Sequence, residues 1–243
     1  ARCSQRYFQA LFAIPKRKDT YLTTKFELDN VGHIVGFDDQ RITPKVAMDD
    51  PKIRERLHHK IDRFGTRMLS NIYIKQFPTC ALTVNQMEAY LDNLEATQQF
   101  TPDLLIVDYP DLFKLDADNK RNAIDDLYKR LRGVAVGRNI ALAVVSQSHR
   151  AAAKSRVVGA DNVAESYEKI FHADTIVTYS QSESERKLGL ARLYVAGGRN
   201  DEDKITVVIS QQYGIGNFVI DSALQRGNYW NLIPSDGDVN EQD

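Results

Sequence analysis

Three short apolar runs punctuate the middle of the chain: LLIVD at 104–108, IALAVV at 140–145 and TIVTY at 175–179, with helix-period segments between them. Continuous apolar runs belong to strands buried on both faces, and strands separated by helices pair in parallel through crossover connections. The pattern therefore predicts an α/β fold, a three-layer α/β/α arrangement around a mostly parallel sheet. From Leu190 the pattern changes to closely spaced strands, 190–196, 205–210 and 218–221, joined by short polar or Gly-containing turns. These predict an antiparallel extension at one edge of the sheet.

The helices are legible by period. Thr83 and Gln86 have capping-box spacing ahead of Val84, Met87, Leu91 and Leu94, and Ile124, Leu127, Leu131 and Val134 mark a second helix ending near Gly137. Asp50 followed by Pro51 opens a helix with Ile53, Leu57, Ile61 and Phe64 on one face, and Val163 to Phe171 reads as another. Asn71 to Gln76 is a short strand candidate. Residues 15–50 read as a long loop or insertion carrying Lys16, Arg17 and Lys18, with short strand signals at 21–26 and 33–37. Cys3, Tyr7, Leu11 and Ile14 recur at helical spacing with almost no chain before them, which leads to the expectation that the sequence is the C-terminal part of something longer. Residues 1–234 are expected to form a single domain, and 235–243 an acidic flexible tail.

Charge is nearly balanced, 32 Lys and Arg against 33 Asp and Glu, so any nucleic-acid contact must come from local patches. Cys3 and Cys80 have neither the number nor the spacing of a disulfide scaffold or zinc site, and His58 and His59 point to different faces of their predicted helix. With no apolar run near the roughly 18 residues of a membrane span, a cytoplasmic protein without membrane contact is expected.

Asp108 closes the first apolar run. In open α/β sheets ligands bind beyond the carboxyl ends of the strands, and a carboxylate there can hold Mg²⁺ beside nucleotide phosphates, the Walker B pattern. An aspartate ending a strand is also a common turn residue or cap. Ser146 and Gln147 follow the next apolar run and would share that edge if the strands are parallel neighbours. A neutral amide placed there can sense a γ-phosphate or orient water; alternatively it satisfies loop backbone.

The stretches NIYIKQFPTCALTVNQMEAYL, LLIVDYPDL, LYKRLRGVAVGRNIALAVVSQSHR, NVAESYEKIFHADTIVTY and LARLYVAGGRND, in this order, resemble the RecA-like ATPase core of hexameric replicative helicases of the DnaB type, over roughly two thirds of the chain. RecA-type recombinases and circadian-clock-type ATPases share that core. The resemblance implies a RecA-like sheet, ATP with Mg²⁺ as cofactors, and roles in DNA replication, recombination or repair. It implies Asp108 as the Walker B magnesium residue, Ser146 and Gln147 beside the nucleotide with Gln147 as sensor, and Arg199 as an arginine finger to a neighbouring copy. The family usually has a lysine two positions before that arginine, where this chain has Gly197. His149, Arg150, Lys154 and Arg156 fall in HRAAAKSRVVGA, where such proteins place a DNA-facing loop; a solvated basic loop is the alternative. Partners implied are single-stranded DNA and copies of the chain itself in a ring or filament.

The phosphate-wrapping sequence GxxxxGK[ST] is absent from the 243 residues, and YGIGNF at 213–218 lies between strands rather than before a helix. Three readings follow. The chain is a portion of a DnaB-like ATPase coupling ATP hydrolysis to single-stranded DNA, with little activity by itself; or it is a catalytically inactive RecA-like assembly module; or the likeness is only to general three-layer architecture. Truncation would also expose a sheet edge, from which self-association is expected.

Overall fold

A computed structural model describes residues 9, 14–51, 53, 55, 59, 70–115, 120–147, 172–198, 204–226 and 228–234. In chain order the elements are β1 (Tyr21–Leu28), β2 (Ile34–Ile42), α1 (Val84–Gln98), β3 (Leu104–Asp108), α2 (Lys120–Arg138), β4 (Ala141–Val145) and β5 (Thr175–Ser180). They continue with α3 (Glu183–Lys187), β6 (Leu190–Gly198), β7 (Thr206–Gln212), β8 (Asn217–Leu224) and α4 (Tyr229–Leu232). The chain divides into two compact units, one within 67–155 and 159–176, the other within 1–66, 156–158 and 177–243.

In the first unit, β3 and β4 pair in parallel, Leu104 opposite Ala141 through Asp108 opposite Val145. Helices α1 and α2 cover one face. Val84, Met87 and Leu91 meet Val107, Phe113, Leu127, Leu131 and Val134 in one buried cluster, joined by Leu105 and Leu142 from the strands. The apolar stripe expected for α1, including Leu94, is the buried one. The Thr83–Gln86 capping box is formed, with Gln86 N donating to Thr83 Oγ1 at 3.2 Å and Thr83 N to Gln86 Oε1 at 2.9 Å. Helix α2 runs one residue past Gly137, and Asn139, at φ +53°, takes the left-handed conformation that Asn tolerates beyond a helix end.

Two expectations fail here. The parallel strands were expected to be covered on both faces, yet the row Leu104, Ile106 and Val145 is exposed, so LLIVD and ALAVV alternate in burial despite their continuous apolarity. Residues 71–76 form no strand: the Tyr73 ring lies 4.4 Å from Phe100, and Lys75 Nζ lies 5.7 and 5.6 Å from the Phe77 and Tyr90 rings. Side-chain contacts with α1 and its C-terminal flank hold this segment without a ladder.

In the second unit, β5, β6, β7 and β8 are ordered side by side in one sheet, with β6–β7 and β7–β8 antiparallel. The stretch expected as a long loop is largely the antiparallel hairpin β1–β2. Its turn is set by Asp29, whose Oδ1 accepts from Val31 N at 2.9 Å and His33 N at 2.7 Å, and by Gly32 at φ +83°. The backbone donation from His33 is the largest cause holding the Asp29 carboxyl below its ordinary range. The hairpin packs on the sheet through Ile34, Phe26 and Phe37 against Val208, Ala223 and Tyr229, and Phe26 N donates to Asp221 Oδ2 at 3.1 Å.

At the centre of this unit lies an ion pair. Glu185 and Arg192 are 0% and 2% exposed, and Arg192 Nε and Nη2 donate to the two Glu185 oxygens at 2.6 and 3.0 Å. Glu185 also accepts from Tyr229 Oη at 2.7 Å and from Ser182 N at 2.7 Å, the latter as part of the α3 capping box. The Trp230 ring lies 4.6 Å from the Arg192 guanidinium carbon. Burial first, then the adjacent Glu185 carboxylate, pushes the Tyr229 phenol far above its ordinary pKa. Gly197 and Gly198, expected in a turn, are the last residues of β6.

The described residues thus form a mixed α/β fold with parallel and antiparallel strands, in which the single mostly parallel sheet foreseen from the sequence is replaced by three separate ladders. Among these residues no helix is long and apolar enough to cross a membrane. The helices expected at 1–14 and 163–171 and the tail at 235–243 lie largely or wholly outside the described residues, as do Leu57, Ile61 and Phe64; Pro51, Ile53, Glu55 and His59 are helical.

Candidate functional site at the carboxyl edge of the parallel strands

The parallel register brings Asp108 and the residues after β4 to one edge. Asp108 ends β3 opposite Val145, so Ser146 and Gln147 leave the sheet beside it. Asp108 and Gln147 are exposed and Ser146 is half-buried. The Asp108–Tyr109 peptide is cis, and Pro110–Leu112 form a 3₁₀ turn that carries Asp111 back over the edge. Val107, buried one residue earlier, fixes the strand under the carboxylate.

Two residues that the sequence did not single out belong to this edge. Tyr128, on the inner face of α2, is hydrogen-bonded to Ser146, and Asp111 is close enough to act on it electrostatically. Burial first and Asp111 second push the Tyr128 phenol up to about 12, with the Ser146 bond opposing them. Tyr128 follows Ile124 by four residues, so its place on the helix's inner face was readable; its hydroxyl partner was not.

The donor set at this edge is hard oxygen: the Asp108 carboxylate, the Ser146 hydroxyl and, nearby, the Asp111 carboxylate. One or two carboxylates fit Mg²⁺, which keeps most of its ligands as water or phosphate oxygen, and are too few to cage Ca²⁺. Among the described residues no group of three or more His, Cys, Asp or Glu is placed to hold a metal by itself. A cleft of about 310 Å³ opens elsewhere in the same unit, between the first turns of α1 and α2 and residues Lys114 and Leu115; Asp108, Ser146 and Gln147 do not line it. Arg199, His149, Arg150, Lys154 and Arg156 lie outside the described residues.

With the fold in hand, comparison places it in a class: solved structures that resemble it include DnaB-like replicative helicases and their ATPase domains. One is the structure of a DnaB-like replicative helicase studied for its interactions with primase; it is 18% identical, covers 72% of this chain and 42% of that one, and superposes with a TM-score of 0.58. A second, an ATPase domain of the same helicase type, is 19% identical over 56% of this chain and 51% of that one, with a TM-score of 0.48, too low to bear on the argument. The chain spans about half or less of these proteins. No protein-family profile matches the sequence, and no curated protein matches it.

Proposed function

We propose that this chain is a portion of a DnaB-like, RecA-type ATPase that couples ATP binding and hydrolysis to single-stranded DNA. The observation that carries the reading is the parallel β3–β4 register, which brings a strand-end carboxylate, Asp108, beside a hydroxyl and an amide, Ser146 and Gln147, on a fold shared with a replicative helicase. Mg²⁺, when bound, would bridge nucleotide phosphate oxygens and neutralise their charge. Asp108 would hold it, directly or through water, and Ser146 would supply a neighbouring oxygen. Gln147, exposed at the same edge, would report γ-phosphate occupancy to the segment that follows it without competing for the metal.

In this reading residues 1–234 act as one ATPase domain of three-layer RecA type in a cytoplasmic assembly. Arg199 stabilises phosphoryl charge on a neighbouring copy in a ring or filament. His149, Arg150, Lys154 and Arg156 contact DNA phosphates. Because the 243 residues contain no GxxxxGK[ST], the chain by itself leaves most phosphate charge unpaired and is expected to turn over little ATP. The same absence favours a second reading, a RecA-like assembly module that has lost catalysis.

The test is Mg²⁺-dependent ATP hydrolysis, with and without oligothymidylate, by the protein as its full reading frame encodes it. Asp108→Ala should lower the DNA-stimulated rate by at least about 100-fold, the scale for losing a charge-stabilising group. Gln147→Ala should retain nucleotide binding and lose the DNA stimulation. An unchanged rate in Asp108→Ala sinks the site assignment; no hydrolysis in the unmutated protein selects the assembly-module reading.

A further inference from the structure

Apart from the Asp108 edge, the unit built on β5–β8 and the β1–β2 hairpin carries an exposed group of aromatic rings. Tyr213, Tyr179 and Phe218 are 60%, 41% and 49% exposed. They are not loose. Tyr213 and Tyr179 both donate to Gln211 Oε1, at 2.8 and 3.0 Å, their hydroxyls lie 2.9 Å apart, and the Phe218 ring centroid is 5.8 Å from that of Tyr179 at an interplanar angle of 37°. Gln211, 2% exposed, anchors the arrangement from within the sheet. Rings held in this way have already lost the rotamer freedom that a stacking ligand would otherwise remove.

The group is continued by Tyr21, whose ring lies so close to Gly214 that a Cβ there would sit 2.0 Å from it; only glycine fits beside Tyr213. Tyr21 Oη donates to Arg17 O at 2.9 Å, which fixes the basic run Lys16, Arg17 and Lys18 at the border of the aromatic cluster. Lys16 and Arg17 are exposed, while Lys18 pairs with Asp50 at 3.4 Å. Asp19 and Asp49 also act on the Tyr21 phenol, so the surface has modest positive charge next to a large ring area.

We infer that the ring cluster Tyr179, Tyr213 and Phe218, bordered by Tyr21, Lys16 and Arg17, is a stacking platform for single-stranded nucleic acid. Every base has a π-face, so rings presented in this way bind a strand without reading its sequence, while the two exposed cations meet the backbone. The inference goes beyond the function proposed above: it requires neither nucleotide nor Asp108, and it places a strand on residues other than the 149–156 segment. Binding here is carried by stacking more than by charge. With about two phosphate contacts, the slope of log affinity against log salt should be about −1.4, shallow for a nucleic-acid site.

The test uses a 5-iododeoxyuridine-substituted oligothymidylate, without nucleotide, in photo-crosslinking mapped by mass spectrometry and in anisotropy titrations. Adducts are expected on Tyr213, Tyr179 or Phe218. Tyr213→Ala and Phe218→Ala should each weaken binding by about tenfold, within the range for one lost stacking partner. Tyr213→Phe, which keeps the ring, should bind normally and guards against a folding artefact; Lys16→Gln with Arg17→Gln should flatten the salt slope. Asp108→Ala should leave all of this unchanged, so failure of the ATPase reading does not touch the result. The inference is overturned by adducts confined to 149–156, by Tyr213→Phe losing as much affinity as Tyr213→Ala, or by ring variants that change sedimentation and not binding. The last would make the cluster an interface between copies of the chain.

Discussion

The unit built on β3 and β4 and the unit built on β5–β8 remove apolar surface from water by different means. In the first, two amphipathic helices lie on one face of a parallel pair, and the buried cluster from Val84 to Val134 is predominantly aliphatic. In the second, short helices and a hairpin meet an antiparallel sheet around a buried carboxylate and guanidinium. An apolar core is forgiving, because neighbours can shift to fill a gap; a buried ion pair is not, because either charge alone lacks compensation. The first arrangement also ends two parallel strands at one edge, which is where reactive side chains can gather. The second presents a broad sheet surface, which suits contact rather than chemistry.

The largest expected effect tests that contrast directly. Glu185→Ala leaves Arg192 buried without its counter-charge, with Nη1 already lacking a partner among the described residues, and leaves the Tyr229 hydroxyl without its acceptor. A loss of about 3–5 kcal/mol in stability is expected by denaturant titration, as for broken buried pairs. Replacing both partners, Glu185→Leu with Arg192→Met, should recover most of it. If the single and double variants are equally unstable, the pair is not what makes this unit different.

A smaller effect sharpens the comparison from the other side. Thr83→Ala removes the side-chain acceptor for Gln86 N at the start of α1 and should cost about 1 kcal/mol, with hydrogen exchange accelerated in the first turn of α1 and not in β5–β8. This cap, like the buried stripes of α1 and α2, was legible because every partner lies within four residues in sequence. So was the placing of Ser146 and Gln147 beside Asp108, once parallel strands were inferred. Glu185, Arg192 and Tyr229 were not: the pair is seven residues apart and the tyrosine 44 from the glutamate, so only the packed sheet brings them together. The failed strand at 71–76 shows the converse, for its β-prone residues find aromatic partners on and beside α1 instead of a ladder. The parallel strands misled for a related reason: apolar character on the outer row, Leu104 and Ile106, says that a residue can be buried, not that something covers it.

The smallest effect concerns the edge itself. The Tyr128 phenol, raised from 10.0 to about 12 chiefly by burial, is neutral in the folded protein where an unfolded chain would already ionise it. The sign follows from linkage: the neutral form is favoured by folding, so its contribution is fully present below pH 10 and is lost as pH rises through the folded value. Stability should therefore fall between about pH 10 and pH 12, by under about 1 kcal/mol from this group because it remains partly solvated. Tyr128→Phe should flatten that part of the profile while also depriving Ser146 of its phenolic partner. Urea unfolding at about pH 9 and about pH 11, compared between the two proteins, separates the terms: the pH-dependent difference reports the buried phenol, and the difference that persists at the lower pH reports the Ser146 bond. A Tyr128→Phe protein with the same pH slope as the unmutated one would show that the hydroxyl is open to water, and that α2 holds the Ser146–Gln147 edge by apolar packing alone.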